Sequence, residues 1–212
     1  MTKLIVPDNA TCVIDDAAYH VSGWLPQDEA DVIGTKIVEE TFLRWVNQMK
    51  YGKGRPFISN DHQMARFGDE CVSYSYKGKK KPVYPWTSTL MDVRDRVREE
   101  LDWEANCCVV NSYGPTGSLY PHRDSAYIPE LGSRPTIVAV SFGATRALTF
   151  HPIDVATCKR KKTGLIDLNL GHGDLLVMCE ECDEKFHHSL PEASPRTLSG
   201  WRVSLTFRRH LT

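Results

Sequence analysis

The chain contains no run of about 18 apolar residues, and its N-terminal stretch MTKLIVPDNATC has no long apolar core, so neither a membrane-spanning helix nor a secretory leader is expected. It also lacks an excess of either charge. With 26 Lys and Arg against 27 Asp and Glu the formal net charge is −1, so affinity for a polyanion would have to come from local basic patches. There is no repeat, low-complexity tract or obvious linker. A disulfide framework is missing as well: the seven cysteines, Cys12, Cys71, Cys107, Cys108, Cys158, Cys179 and Cys182, are odd in number and irregularly spaced, as free thiols in a reducing environment would be. A soluble intracellular protein is expected, with nucleus and cytoplasm both left open. Cys179 and Cys182, followed by His187 and His188, have the spacing of a zinc ligand set. No second cysteine pair completes four ligands, and two thiols in a turn after a buried strand is the preferred reading.

Two helices are predicted in the first half. Residues 28–50 place Val32, Ile33, Ile37, Val38, Phe42, Trp45, Val46 and Met49 near helical spacing with acids in the first turn, and residues 88–101 repeat the pattern through Leu90, Val93, Val97 and Leu101 behind Thr87 or Ser88 as N-cap. From residue 107 the texture changes to short β-rich runs, CCVVNSY, TIVAVSF, RALTF, GLIDLNL, DLLVM and WRVSLTFRR, punctuated by Gly, Pro and Asp. The fold class expected is α+β and mainly β, a sandwich or jelly roll whose sheet is buttressed by the N-terminal helices. Residues 28–212 are read as a single domain preceded by an N-terminal extension, 1–27. Within it, residues 50–86 have weak periodicity and read as loops and a hairpin. There Lys and Arg alternate with Tyr51, Phe57, Tyr74, Tyr76, Tyr84 and Trp86, as on a nucleic-acid surface or, equally, an exposed charged loop over core aromatics.

In SLYPHRDSAY, residues 118–127, His122 and Asp124 stand two apart at a strand end and so share one face of the pleat. With His188 from FHHSLP they would supply two imidazoles and one carboxylate, the facial set of non-haem Fe(II) oxygenases. Histidine, any residue and aspartate in a row is a common chance pattern. The C-terminal strand adds to it, because Arg202 and Arg208 lie six apart and point to one face of a strand whose other face is Val203, Leu205 and Phe207. Buried arginines need partners, and a dicarboxylate co-substrate or internal salt bridges would provide them.

Taken in order, ARFGDECVSYSYKG, PVYPWTSTL, VVNSYGPTG, PHRD, VAVSFGATRALTF, GHGDLLVM, HHSLP and RVSLTFR resemble blocks of the AlkB-type Fe(II)/2-oxoglutarate dioxygenases, from about residue 29 to the C-terminus. The resemblance implies a double-stranded β-helix with a nucleotide-recognition lid at about 50–86. It implies iron on His122, Asp124 and His188, and 2-oxoglutarate held by Asn111, Tyr113, Arg202, Ser204 and Arg208, with O2 as the oxidant. His187 falls outside the pattern. Tyr74, Tyr76, Tyr51 and Arg123 fall where family members touch the substrate, Tyr51 at the place of an aromatic finger. The implied reaction is oxidative demethylation of N-alkylated bases, of the 1-methyladenine and 3-methylcytosine type, in DNA with RNA as a further possibility. The implied protein is a monomer without a membrane partner. Two positions depart from the family: Ala126 stands where those members carry an acid two residues after the ligand aspartate, and Ser204 where Asn is common. Two other readings remain: an AlkB-like dioxygenase of another substrate, such as another RNA mark, a protein side chain or a lipid, and a catalytically silent reader of methylated nucleic acid.

Overall fold

The computed structural model describes residues 4–52, 55–154, 157, 159–192 and 200–211. In chain order the strands are β1 (Thr11–Ile14), β2 (Ala18–Val21), β3 (Val46–Gly52), β4 (Arg55–Gly68), β5 (Ser75–Tyr76), β6 (Lys79–Lys80), β7 (Cys107–Tyr113) and β8 (Leu119–His122). They continue as β9 (Ile137–Gly143), β10 (Arg146–Asp154), β11 (Lys159–Arg160), β12 (Ile166–Leu170), β13 (Leu175–Met178), β14 (Phe186–Leu190) and β15 (Arg202–Arg208). The helices are α1 (Gln27–Thr41), α2 (Ser88–Leu101) and α3 (Glu180–Lys185).

The strands form two antiparallel layers, a mainly β jelly-roll arrangement. The larger sheet runs β1-β2-β13-β9-β15-β7-β4-β3, and the smaller runs β11-β10-β14-β8 with β12 also on β10. Strand alternation divides the larger sheet's side chains between two environments. Ala65, Phe67, Cys108, Val110, Val138, Val140, Leu175, Val177, Leu205 and Phe207 face outward and bury against Ile37 of α1 and Leu90, Val93, Val97 and Leu101 of α2. The inward face is apolar toward one end, where Ile137, Ala139, Leu176 and Met178 meet Leu148, Phe150 and Leu170 of the smaller sheet. Toward the other end it turns polar, and there the candidate site lies. α2 starts at Thr87, whose Oγ1 accepts from the Leu90 amide at 3.4 Å.

Three sequence expectations change. α1 ends at Thr41 instead of running to residue 50: Thr41 Oγ1 donates to the Ile37 carbonyl (2.7 Å) and accepts from Trp45 Nε1 (3.0 Å), closing the helix, and a 3-10 turn follows. Val46 then pairs with Met64 and Asn47 with Gln63, so sheet pairing overrides the helical period of Trp45, Val46 and Met49. The first part of the stretch 50–86, expected as lid loops, belongs instead to β3 and β4, a long antiparallel pair that extends the larger sheet; after Gly68 the chain is loop with the short β5/β6 hairpin in it. Residues 11–21, expected in an N-terminal extension, make the β1/β2 edge hairpin, with β2 paired to β13. No helix among the described residues is long and apolar enough to cross a membrane.

Phe207 is fully buried between the sheet and α2, stacked on Trp86 with ring centroids 6.4 Å apart. Phe207→Ala is expected to cost about 3–5 kcal/mol in urea unfolding; a loss under about 1 kcal/mol would mean that the layer does not depend on this contact.

Candidate metal centre

Four rungs of paired residues cross the inward face of the larger sheet. His62, Tyr113, Arg202 and Gly143 form one; Met64, Asn111, Ser204 and Ser141 the next; then Arg66, Val109, Thr206 and Ala139; and last Gly68, Cys107, Arg208 and Ile137. Directly opposed residues share a face, so the register gathers Asn111, Tyr113, Arg202, Ser204 and Arg208 on one surface. Gly143, at φ +81, turns β9 into β10 beside Arg202; a Cβ there would run into the Trp201 carbonyl.

Across the gap, the smaller sheet pairs His188 of β14 with His122 of β8, with ring centroids 4.4 Å apart. One ligand atom each from His122, Asp124 and His188 lies within 4.8 Å of the others, and among the described residues no other such trio of His, Cys, Asp or Glu occurs. His122 Nδ1 is 2.9 Å from the Tyr120 carbonyl and carries the proton; Nε2, 3.2 Å from Asp124 Oδ1, faces the centre. Burial pushes His188 down to about 3, reinforced by His122, so it stays neutral as a ligand must. Burial alone would raise Asp124, but the Arg208 guanidinium beside it holds its carboxyl well below the usual range. Arg208 Nη2 and Nε sit 2.6 and 2.8 Å from Asp124 Oδ2, which leaves Oδ1 turned to the histidines. Two imidazoles and one carboxylate suit Fe(II).

Arg202 is in a different state. It is 3% exposed, Nη2 donates to Ser141 Oγ at 2.8 Å, its guanidinium lies 5.7 Å from the Tyr113 ring centre, and Nε has no hydrogen-bond partner. No carboxylate reaches it among the described residues, and burial pulls it down to about 10. Arg208 Nη1 is also without a hydrogen bond. Burial pushes Tyr113 up to about 12, so its hydroxyl remains a donor at neutral pH. Asn111 Oδ1 lies 3.3 Å from His62 Nε2, and the His62 ring stacks on Tyr113 at 4.4 Å. These orphaned donors around a two-histidine, one-aspartate set fit a metal with a dicarboxylate beside it.

The other residues singled out in the sequence divide. Tyr74 is buried with Val72, Cys107, Val109, Ile128 and Leu131, so it supports the lid from beneath, while half-buried Tyr76 packs against Tyr127 at 5.6 Å. Arg123 is half-buried and its Nε has no partner. Tyr51 lies in β3, but its side chain is outside the described residues. His187 alternates to the face away from His188. Cys179 and Cys182 bracket a turn, Cys182 N to Cys179 O 2.9 Å, and burial raises both thiols. The described cysteines are free.

Sequence reasoning missed Asp183. From α3 its Oδ1 accepts from the Asp124 amide (2.8 Å) and its Oδ2 from Ser125 Oγ, tying down the loop that carries the candidate ligand Asp124. The cluster EECDEK offered no signal beyond its charge. Asp183→Ala leaves those donors without an acceptor and is expected to cost about 1–3 kcal/mol in urea unfolding. It should also weaken Mn(II) binding by roughly 10- to 100-fold in titration; unaltered Mn(II) affinity would mean that the loop is positioned without it.

Comparison with known proteins places this geometry. Similar curated proteins include the DNA oxidative demethylase ALKBH2 of Mus musculus, 35% identical over 151 residues covering 70% of this chain and 62% of that protein. ALKBH2 of Bos taurus is 32% identical, covering 87% and 68%. The alpha-ketoglutarate-dependent dioxygenase alkB homolog 3 of Rattus norvegicus is 29% identical, covering 88% and 61%. The chain thus spans a little under or over two thirds of these relatives' lengths. The solved structure of OsALKBH1 shares the fold at 20% identity and TM-score 0.56, covering 91% of this chain and 98% of that one. A 2OG-Fe(II) oxygenase family oxidoreductase from Burkholderia pseudomallei does so at 12% and 0.58, covering 92% and 85%. The family pattern matches residues 17–208, which include every strand of both sheets except β1, and the chain belongs to the 2OG-Fe(II) oxygenase superfamily.

Proposed function

We propose that this protein is an Fe(II)- and 2-oxoglutarate-dependent demethylase of N-alkylated bases in nucleic acid, with DNA as the first substrate and RNA as a further one. The observation that carries the reading is Arg202: a buried cation with no carboxylate partner among the described residues, on the same sheet face as Arg208 and opposite the His122, Asp124 and His188 cluster. Such a charge is costly unless a ligand completes it. The similarity to proteins named DNA oxidative demethylase supports the substrate class.

His122, Asp124 and His188 would hold the iron, and Arg202 with Tyr113 and Asn111 would receive the far carboxylate of 2-oxoglutarate. Bound there, iron with 2-oxoglutarate and O2 would supply the oxidation of an N-methyl carbon, which leaves as formaldehyde. The chain's own contribution is geometry. Arg208 fixes which Asp124 oxygen is free; Tyr120 fixes the His122 tautomer; burial keeps His188 neutral and Tyr113 protonated. Tyr76, with Tyr127 and Lys77 beside it, offers flat rings and a cation at the lid for an extruded base.

His122→Ala is expected to abolish formaldehyde release from methylated oligonucleotides while circular dichroism shows the fold unchanged; retained turnover would remove the triad. Arg202→Ala should raise the KM for 2-oxoglutarate by roughly tenfold or more, because it deletes one side of a buried charge pair. An unchanged KM would place the clamp elsewhere.

A further inference from the structure

A third arginine faces inward from the larger sheet. Arg66, on β4 opposite Val109, is 7% exposed, yet no carboxylate pairs with it among the described residues. Its guanidinium lies 4.7 Å from the Tyr74 ring centre, its Nη2 is 2.8 Å from Met64 Sδ, and its Nε has no hydrogen-bond partner. Neither a ring face nor a thioether is a full acceptor for a group that carries only donors. Arg66 shares its inward face with Arg208 one rung away, and its guanidinium lies over the Tyr74 ring, which packs in one cluster with Tyr76 and Tyr127. It therefore borders the candidate pocket.

A second cation stands at the lid. Lys77 Nζ is 4.8 Å from the Tyr127 ring centre and 5.7 Å from that of Tyr76, and those two rings are the exposed-side walls of the same aromatic cluster. Of the nearby acids, Asp124 is paired with Arg208 and Asp183 takes the bonds of the 124–125 loop, while Glu130 keeps a buried Oε2 without a hydrogen-bond partner. Two residues after Asp124 the side chain is only the methyl of exposed Ala126.

Resting on the demethylase reading, we infer that Arg66 reads the substrate base, and that this base is an uncharged N-methylated one bearing carbonyl oxygens, of the 3-methylthymine or 1-methylguanine type. At the exocyclic position where 3-methylcytosine and 1-methyladenine carry an amine, such a base presents a carbonyl oxygen, O4 of 3-methylthymine or O6 of 1-methylguanine, an acceptor for the unpaired Arg66 Nε. The protonated 1-methyladenine and 3-methylcytosine also carry a positive charge that meets Arg66 and Lys77 as like charges. A donor facing a donor in a buried site leaves both unsatisfied, which is how a site rejects the wrong base strongly.

The test is release of unmodified base from matched single-stranded oligonucleotides carrying 3-methylthymine or 3-methylcytosine, with Fe(II) and 2-oxoglutarate. The readout is the ratio of kcat/KM within one preparation, which does not depend on the folded fraction. The wild-type protein is expected to favour 3-methylthymine. Arg66→Met, which keeps the side chain's length and apolar packing, should lower kcat/KM for 3-methylthymine by roughly tenfold or more without a matching loss on 3-methylcytosine. Arg66→Lys, which keeps a charged donor, should retain the preference at a reduced rate. A wild-type preference for 3-methylcytosine, or a ratio untouched by Arg66→Met, would overturn the inference and leave the demethylase reading standing. No release from either base, nor from 1-methyladenine or 1-methylguanine, would overturn both.

Discussion

The Asp124–Arg208 pair is the strut on which the candidate centre depends. Arg208 sits on β15 of the larger sheet and Asp124 two residues beyond β8 of the smaller, so their two short hydrogen bonds tie the layers together at the polar end of the sandwich. Both groups are buried, and either alone would be a stranded charge. Because Arg208 takes both bonds at Oδ2, the carboxylate can offer only Oδ1 to the histidines. Asp183 holds the same loop from the other side through its backbone and Ser125. The geometry of the candidate ligands is thus set by fixed protein groups, as the outer partners of a metal site require.

The inward arginines of the larger sheet form a graded series. Arg208 is satisfied internally by Asp124. Arg202 leans on a serine hydroxyl and a tyrosine ring, and Arg66 on a tyrosine ring and a methionine sulfur. Interiors rarely retain arginine without a carboxylate. The two under-satisfied members lie on β15 and β4, three rungs and one rung from Arg208, at one and the same inward surface. On the proposed reading, ligands bring the missing acceptors: a dicarboxylate at Arg202 and a carbonyl-bearing base at Arg66.

Much of this was legible in the sequence because strand alternation is local. His122 and Asp124 two apart, and Arg202 and Arg208 six apart among Val203, Leu205 and Phe207, declare a shared face without any tertiary knowledge. His188 needed a partner 66 positions away and became credible only through the ordered blocks around it. What the sequence hid was decided by tertiary pairing. The helical period of Trp45, Val46 and Met49 loses to the β3/β4 ladder. That ladder also turns Arg66 from an apparent loop cation into an inward one. Asp183 looked like one charge among several in EECDEK, and only the packing of α3 under the 124–125 loop gives it a role. Tyr74, read as a pocket wall, is buried because Ile128 and Leu131 close over it.

The most direct test of the central claim, that the two sheets hold a preformed iron and 2-oxoglutarate site, is an anaerobic crystal structure with Mn(II) and 2-oxoglutarate. The expected density places the metal on His122 Nε2, Asp124 Oδ1 and His188, with one carboxylate of 2-oxoglutarate on the Arg202 guanidinium. Metal bound elsewhere, or a co-substrate that leaves Arg202 without a carboxylate, would contradict it.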